Sequence, residues 1–182
     1  MVTAGYMNSD AHEEFFTHVD AANIDLKAFS EGFYKTYCKG NLKPVLDTLI
    51  YVREFTDVWL ELTNLIIPTL NDNPKEIKEM CQWVLGNLGA DTPLHFSAFH
   101  PDYQLKNISK TPPATLTMAR EIAMEVGLNF VYTGNVYDVS GDATFCTSCD
   151  EVVIQRDWYK IQKNTLQAGR CPKCSILVPG YF

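Results

Sequence analysis

Four cysteines carry the strongest chemical signal in the sequence. Cys146-Thr-Ser-Cys149 and Cys171-Pro-Lys-Cys174 are two C-x-x-C pairs separated by 21 residues. Each pair offers two thiolates from one tight turn. Four sulfurs brought together would close a tetrahedron around Zn²⁺, and iron suits the same donor set. Four protein ligands leave no open coordination position, so such a metal braces the chain rather than performing catalysis. Two disulfides and a redox C-x-x-C are the competing readings. No secretory signal supports the first, and a redox motif normally stands alone at a helix start. Cys38 and Cys81 are isolated, and Cys81 falls on an apolar helical face, which makes it a core residue.

A second set of candidates lies in Ala22-Asn23-Ile24-Asp25-Leu26-Lys27-Ala28. Read as a strand, it places Ala22, Ile24, Leu26 and Ala28 on one face and Asn23, Asp25 and Lys27 on the other. Strands of an ordinary parallel sheet are apolar on both faces. A polar trio on one face therefore points to the mouth of a barrel or cleft. Asp25 and Lys27 stand about 6.6 Å apart along such a strand, close enough to pair or to share one polar ligand. A solvated edge strand or a structural ion pair is the plainer alternative. His100, in Phe99-His100-Pro101-Asp102, follows a later strand, where α/β folds place ligand-binding residues. Asn71-Asp72-Asn73 would share that rim, or serve only as a turn and helix cap.

These residues need elements to hold them. Candidate strands cover 22–29, 58–67, 94–99 and 129–133, a spacing of about 35 residues that suits βα units rather than hairpins. The segment 41–55 carries Leu42, Val45, Leu46, Leu49 and Val52 on one helical face, and 73–88 carries Ile77, Met80, Cys81, Val84, Leu85 and Leu88. Asn73-Pro74 opens the second helix, Pro112-Pro113 opens a third, and Gly127 stands where its C-terminal cap is expected. A short helix is expected over 9–18, after a strand tail at 2–6. The expected fold is α/β, a parallel sheet with helical crossovers. After residue 137 the pattern changes to short β-type runs, such as 152–154 and 158–161. The expected division is therefore 1–137 for the α/β part and 138–182 for a small metal-stapled, β-rich module.

Composition bounds the rest. The chain has 182 residues, 46% of them hydrophobic and 20% charged, with a formal charge of −7. That is globular, yet short of the about 250 residues of a complete (βα)₈ barrel. The acidic balance argues against nucleic acid as a general partner. No apolar run approaches the roughly 20 residues of a membrane span. With neither a span nor a signal peptide, a cytoplasmic protein is expected.

Together, residues 19–29 (VDAANIDLKAF), 65–72 (LIIPTLND) and 94–103 (LHFSAFHPDY) resemble the later strands of radical S-adenosylmethionine (SAM) enzymes. The branch is the one that includes pyruvate formate-lyase activating enzymes. Residues 132–136 (YTGNV), followed by the Cys₄ ribbon, narrow the resemblance to the radical SAM enzyme of the AmmeMemoRadiSam system. The resemblance implies a partial radical-SAM (βα) barrel with a C-terminal zinc ribbon. It implies that Asp25 and Lys27 hold S-adenosylmethionine, with His100 near the adenosine end. It also implies an enzyme that cleaves SAM reductively at a [4Fe–4S] cluster and abstracts hydrogen from an unidentified substrate, plausibly a protein. The family's cation-binding Asp-Thr-Asn-Gly matches here only as Val2-Thr3-Ala4-Gly5, which lacks the Asp and the Asn.

One departure is decisive. The family holds its cluster by C-x-x-x-C-x-x-C, and this chain has no such motif. The expectation is a C-terminal portion whose missing N-terminal half carries the cluster, and which alone is not catalytically competent. The contrasting reading is a non-catalytic α/β and zinc-ribbon module that binds a partner protein or nucleic acid. Arg156, Lys160, Lys163, Arg170 and Lys173 give the ribbon a modest basic set. Trp158 and Tyr159 would stack on bases or, on the preferred reading, cover the metal site and the domain junction.

Overall fold

The computed structural model describes residues 1–180. Five parallel strands form the main sheet in the order β1 (Val2–Thr3), β2 (Ala21–Asp25), β3 (Trp59–Ile66), β4 (Leu94–Ala98) and β5 (Val131–Gly134). Spatial order follows chain order, so with the right-handed crossovers that are the rule for parallel strands each helix returns on the same side. The connecting elements are a 3₁₀ turn (Ser9–Ala11) with α1 (His12–Phe16), then α2 (Glu31–Phe33), α3 (Leu42–Phe55), α4 (Pro74–Asn87) and α5 (Pro113–Val126).

The expected helices at 41–55 and 73–88 form within a residue of their expected ends. Asn73 caps α4, its side chain accepting from Lys75 N, with Pro74 at the first helical position. Gly127 ends α5 at φ 113°, a left-handed conformation that glycine adopts without penalty. One expectation is revised: the helix expected over 9–18 is only the 3₁₀ turn and α1. The structure also adds an element that no sequence signal marked, a π-helical turn at Tyr34–Cys38 that follows α2 directly.

Burial alternates along the strands. Ala22, Ile24, Leu26 and Ala28 are all buried beneath the helices, as are Leu60, Leu62, Leu94, Phe96 and Val131. Asn23, Asp25, Glu61, Thr63, His95 and Tyr132 point to the opposite face and are half-buried. The polar trio thus belongs to a whole polar sheet face. Asn64 is the exception on the helix side. Its Nδ2 donates to Leu26 O at 2.7 Å, and its buried Oδ1 has no partner among the described residues.

A second sheet is antiparallel: β6 (Ala143–Phe145), β7 (Val152–Asp157) and β8 (Lys160–Asn164). The strand expected at 158–161 instead begins at Lys160. Trp158 has φ 53° and, with Tyr159, makes the tight β7–β8 turn. Among the described residues no helix is long and apolar enough to cross a membrane.

Candidate metal centre and the open face of the sheet

Cys146, Cys149, Cys171 and Cys174 converge, with their four sulfur atoms within 4.8 Å of one another. Cys146 Sγ lies 3.5 Å from Cys174 Sγ, and Cys149 Sγ lies 3.7 Å from Cys171 Sγ. A disulfide needs about 2.05 Å, and all six cysteines are free, which removes the two-disulfide alternative. Sulfurs at about 2.3 Å from one tetrahedral Zn²⁺ stand about 3.8 Å apart, which matches. The site could therefore hold a single metal ion. A four-iron cluster would stand between its ligands and spread them further, so it does not fit here.

The two turns share one backbone pattern. The residue after each pair, Asp150 or Ser175, has positive φ, 57° and 61° respectively. Its N–H donates to the first cysteine's carbonyl at 3.0 and 2.9 Å. The N–H of that first cysteine donates onward to Glu151 O and to Ile176 O, each at 2.9 Å. The chain thus builds the same knuckle twice and faces one against the other.

On the sheet, Asp25 is the last residue of β2 and Lys27 lies just beyond it. They pair, with Lys27 Nζ donating to Asp25 Oδ2 at 2.7 Å, and both side chains keep access to solvent (39% for Lys27, 30% for Asp25). Lys27 N donates to Tyr34 Oη at 3.2 Å, and burial holds the Tyr34 phenol well above its usual range, so it stays protonated. Asn71 is buried, accepts from Ile67 N, and donates to Lys27 O and Leu65 O at 2.7 and 2.9 Å. Asp72 accepts from Thr69 N, so this stretch is a latch and turn that fixes the strand ends. His100 is exposed after β4, and no hydrogen bond or ion pair joins it to Asp25 or Lys27.

The opposite end of the same face holds residues that the sequence reading passed over. Glu61 accepts from His95 Nε2 at 2.8 Å and from Trp59 Nε1 at 3.0 Å. Burial would raise the Glu61 carboxyl, but these two hydrogen bonds and the His95 and Arg156 charges outweigh it and hold it below the usual range. The His95 ring stacks on Tyr132 with centroids 5.0 Å apart, and the Arg156 guanidinium lies 5.5 Å from the Tyr132 centroid. Strand alternation was the available signal, because Glu61 and Thr63 interrupt Leu60 and Leu62 at period two. The nearby charge of Arg156, 95 residues further along the chain, had none. Trp158 and Tyr159 line a cavity between this end and the ribbon, and Tyr159 is almost fully exposed.

Comparison with known proteins adds three findings. No family model matches the chain. An uncharacterized protein of Methanocaldococcus jannaschii is 42% identical over 176 residues, which is 96% of this chain and 52% of that protein. The chain thus spans about half the length of this curated relative. A domain of pyruvate-formate lyase-activating enzyme from Bacteroides vulgatus ATCC 8482 has a similar structure, with a TM-score of 0.63 at 17% identity over 73% of this chain and 79% of that one. The α/β fold is therefore that of an activating-enzyme domain.

Proposed function

We propose that this chain is part of a radical SAM enzyme, with residues 1–137 forming the later portion of its barrel and 138–182 a zinc ribbon. The supporting observation is the Asp25–Lys27 pair at the C-terminal end of β2, on the open face of a sheet whose fold is shared with an activating-enzyme domain. The chain's cysteines do not suit a [4Fe–4S] cluster, so the cluster ligands lie elsewhere in the enzyme. When bound together, cluster and SAM supply a radical that abstracts hydrogen from the substrate.

The chain's own part is binding. The Asp25 carboxylate would take the ligand's α-ammonium and the Lys27 ammonium its carboxylate. Asn71 and Tyr34 hold the Lys27 backbone while this exchange of partners occurs. His100, exposed after β4 at the same end of the sheet, would stand near the adenosine. The ribbon metal is structural, and the AmmeMemoRadiSam branch is the assignment that a Cys₄ ribbon after the barrel supports best. A cytoplasmic setting, where thiols stay reduced, suits it.

The test uses the longer polypeptide that contains this chain, reconstituted anaerobically with iron and sulfide and then given SAM and dithionite. It should form 5′-deoxyadenosine, and Asp25→Asn or Lys27→Ala should slow that reaction at least tenfold. The isolated chain should bind SAM weakly or not at all, because the pocket is open to water and the charges are screened. Micromolar affinity of the isolated chain in calorimetry, or unaltered turnover in both variants, would sink the proposal.

A second reading, a module that binds a partner protein or nucleic acid, is favoured by one feature. Strand β8 is exposed along its whole length and carries Lys160 and Lys163. Saturable binding of single-stranded oligonucleotide, abolished by Lys160→Glu with Lys163→Glu, would support it.

A further inference from the structure

We propose that the cavity between the N-terminal ends of the strands and the ribbon is a binding site for a small organic anion with a planar apolar body. The site is separate from the Asp25–Lys27 rim. Asp25 ends β2 and does not line this cavity, which takes Ala21, Trp59 and Phe130 from the strand starts and follows the edge strand β5 to Val136. Its volume of about 660 Å³ is in the range of small-molecule sites.

Arg156 supplies the charge. Its Nη1 is committed to the ribbon, donating to Thr144 Oγ1 at 3.0 Å and to Asp142 O at 3.3 Å. Its Cζ lies 5.5 Å from the Tyr132 ring centroid, a cation–π contact that helps hold the guanidinium in place. No hydrogen bond from Nε or Nη2 is found among the described residues, in contrast to the two from Nη1. Nε and Nη2 form the two-pronged edge that matches a carboxylate or a phosphate. Glu61 does not compete for it, since its two oxygens are engaged by Trp59 and His95.

His95 supplies a second polar contact. With Nε2 donating to Glu61 Oε2, Nδ1 of the neutral ring is an acceptor, and it has no partner among the described residues. The apolar body is accommodated by Trp59 and Trp158, the latter half-exposed on the β7–β8 turn and free to close over a flat ring. Carboxylate and phosphate share the recognition chemistry, and the test separates them.

Benzoate, phenyl phosphate and uncharged benzyl alcohol are titrated into the metal-loaded chain while the indole N–H resonances are followed by NMR. Benzoate or phenyl phosphate should saturate and shift the Trp59 and Trp158 signals, and the tighter of the two identifies the anion. Benzyl alcohol should bind at least tenfold more weakly. Arg156→Gln should weaken the anion about ten- to hundred-fold, and Arg156→Lys, which keeps charge but not the fork, by less. Trp158→Ala, a change at an exposed turn, should weaken binding without altering metal content, which keeps the test valid if Arg156→Gln disturbs the ribbon. Asp25→Asn should change nothing. The proposal fails if neither anion saturates, if benzyl alcohol binds equally, or if Asp25→Asn abolishes binding. It also fails if the Trp158→Ala variant binds as the unmodified chain does.

Discussion

Asn71 shows how a single side chain can set the geometry of a rim. It satisfies one amide and two carbonyls from two different strand ends while almost fully buried. No shorter side chain reaches all three. Asn71→Ala should cost roughly 2–4 kcal/mol, since each abandoned group loses its bond without gaining water. Urea unfolding checks the magnitude, and a loss under 1 kcal/mol would mean that the strand ends hold themselves. Glu61 makes a different prediction. Its folded-state pKa is depressed, so its contribution is present above the unfolded value of about 4.3 and is lost as pH falls through the lower folded value. The unmodified chain should lose stability below about pH 4.3, and Glu61→Gln should flatten that part of the profile. Parallel profiles for the two proteins would remove Glu61 from the account.

At the scale of elements, what was legible in the sequence depended on how local the cause was. The helices at 41–55 and 73–88 announce themselves because capping and apolar period act within a few residues. The metal knuckles do so because C-x-x-C is a four-residue unit. The strand limits shift because edges are set by partners: β2 stops at Asp25, four residues before the expected end, and Lys27 then turns towards Tyr34 and Asn71. The π-helical turn at Tyr34–Cys38 and the Glu61–His95–Tyr132–Arg156 cluster were not legible, since both arise from contacts across the fold. The ribbon has the sharpest element-scale test. Its small core is Phe130, Cys146, Val153, Ile154, Cys171 and Val178, two of which are ligands. Metal analysis should find about one metal ion per chain. Chelation or Cys146→Ser should abolish amide protection over β6, β7 and β8 and spare β2, β3 and β4. Protection that survives chelation would show that the metal is dispensable.

For the molecule as a whole, the question is whether the two sheets behave as one cooperative unit. Besides the Arg156–Tyr132 contact, three hydrogen bonds among the described residues tie the main sheet to the segment that carries the second. Thr133 N donates to Gly141 O, Thr133 Oγ1 donates to Asp138 Oδ2, and the Tyr132 hydroxyl pairs with Thr144 Oγ1. Gly141 passes so near β5 that a Cβ there would lie 1.9 Å from Thr133 Oγ1, so the linker requires glycine. The hydrophobic link is Phe130. It precedes β5 in the main sheet, yet its buried ring belongs to the ribbon's core. Removing that ring costs about 3–5 kcal/mol by the usual scale for buried Phe→Ala. It falls on the junction rather than on either core's centre. In the unmodified chain, metal release, followed by a chromogenic chelator, should coincide with loss of helical signal in urea, and Phe130→Ala should separate the two. In the variant, release should move to lower urea while the helical transition shifts less. Transitions that still coincide would mean that the polar contacts alone couple the sheets, and the double change Phe130→Ala with Gly141→Ala would then have to separate them.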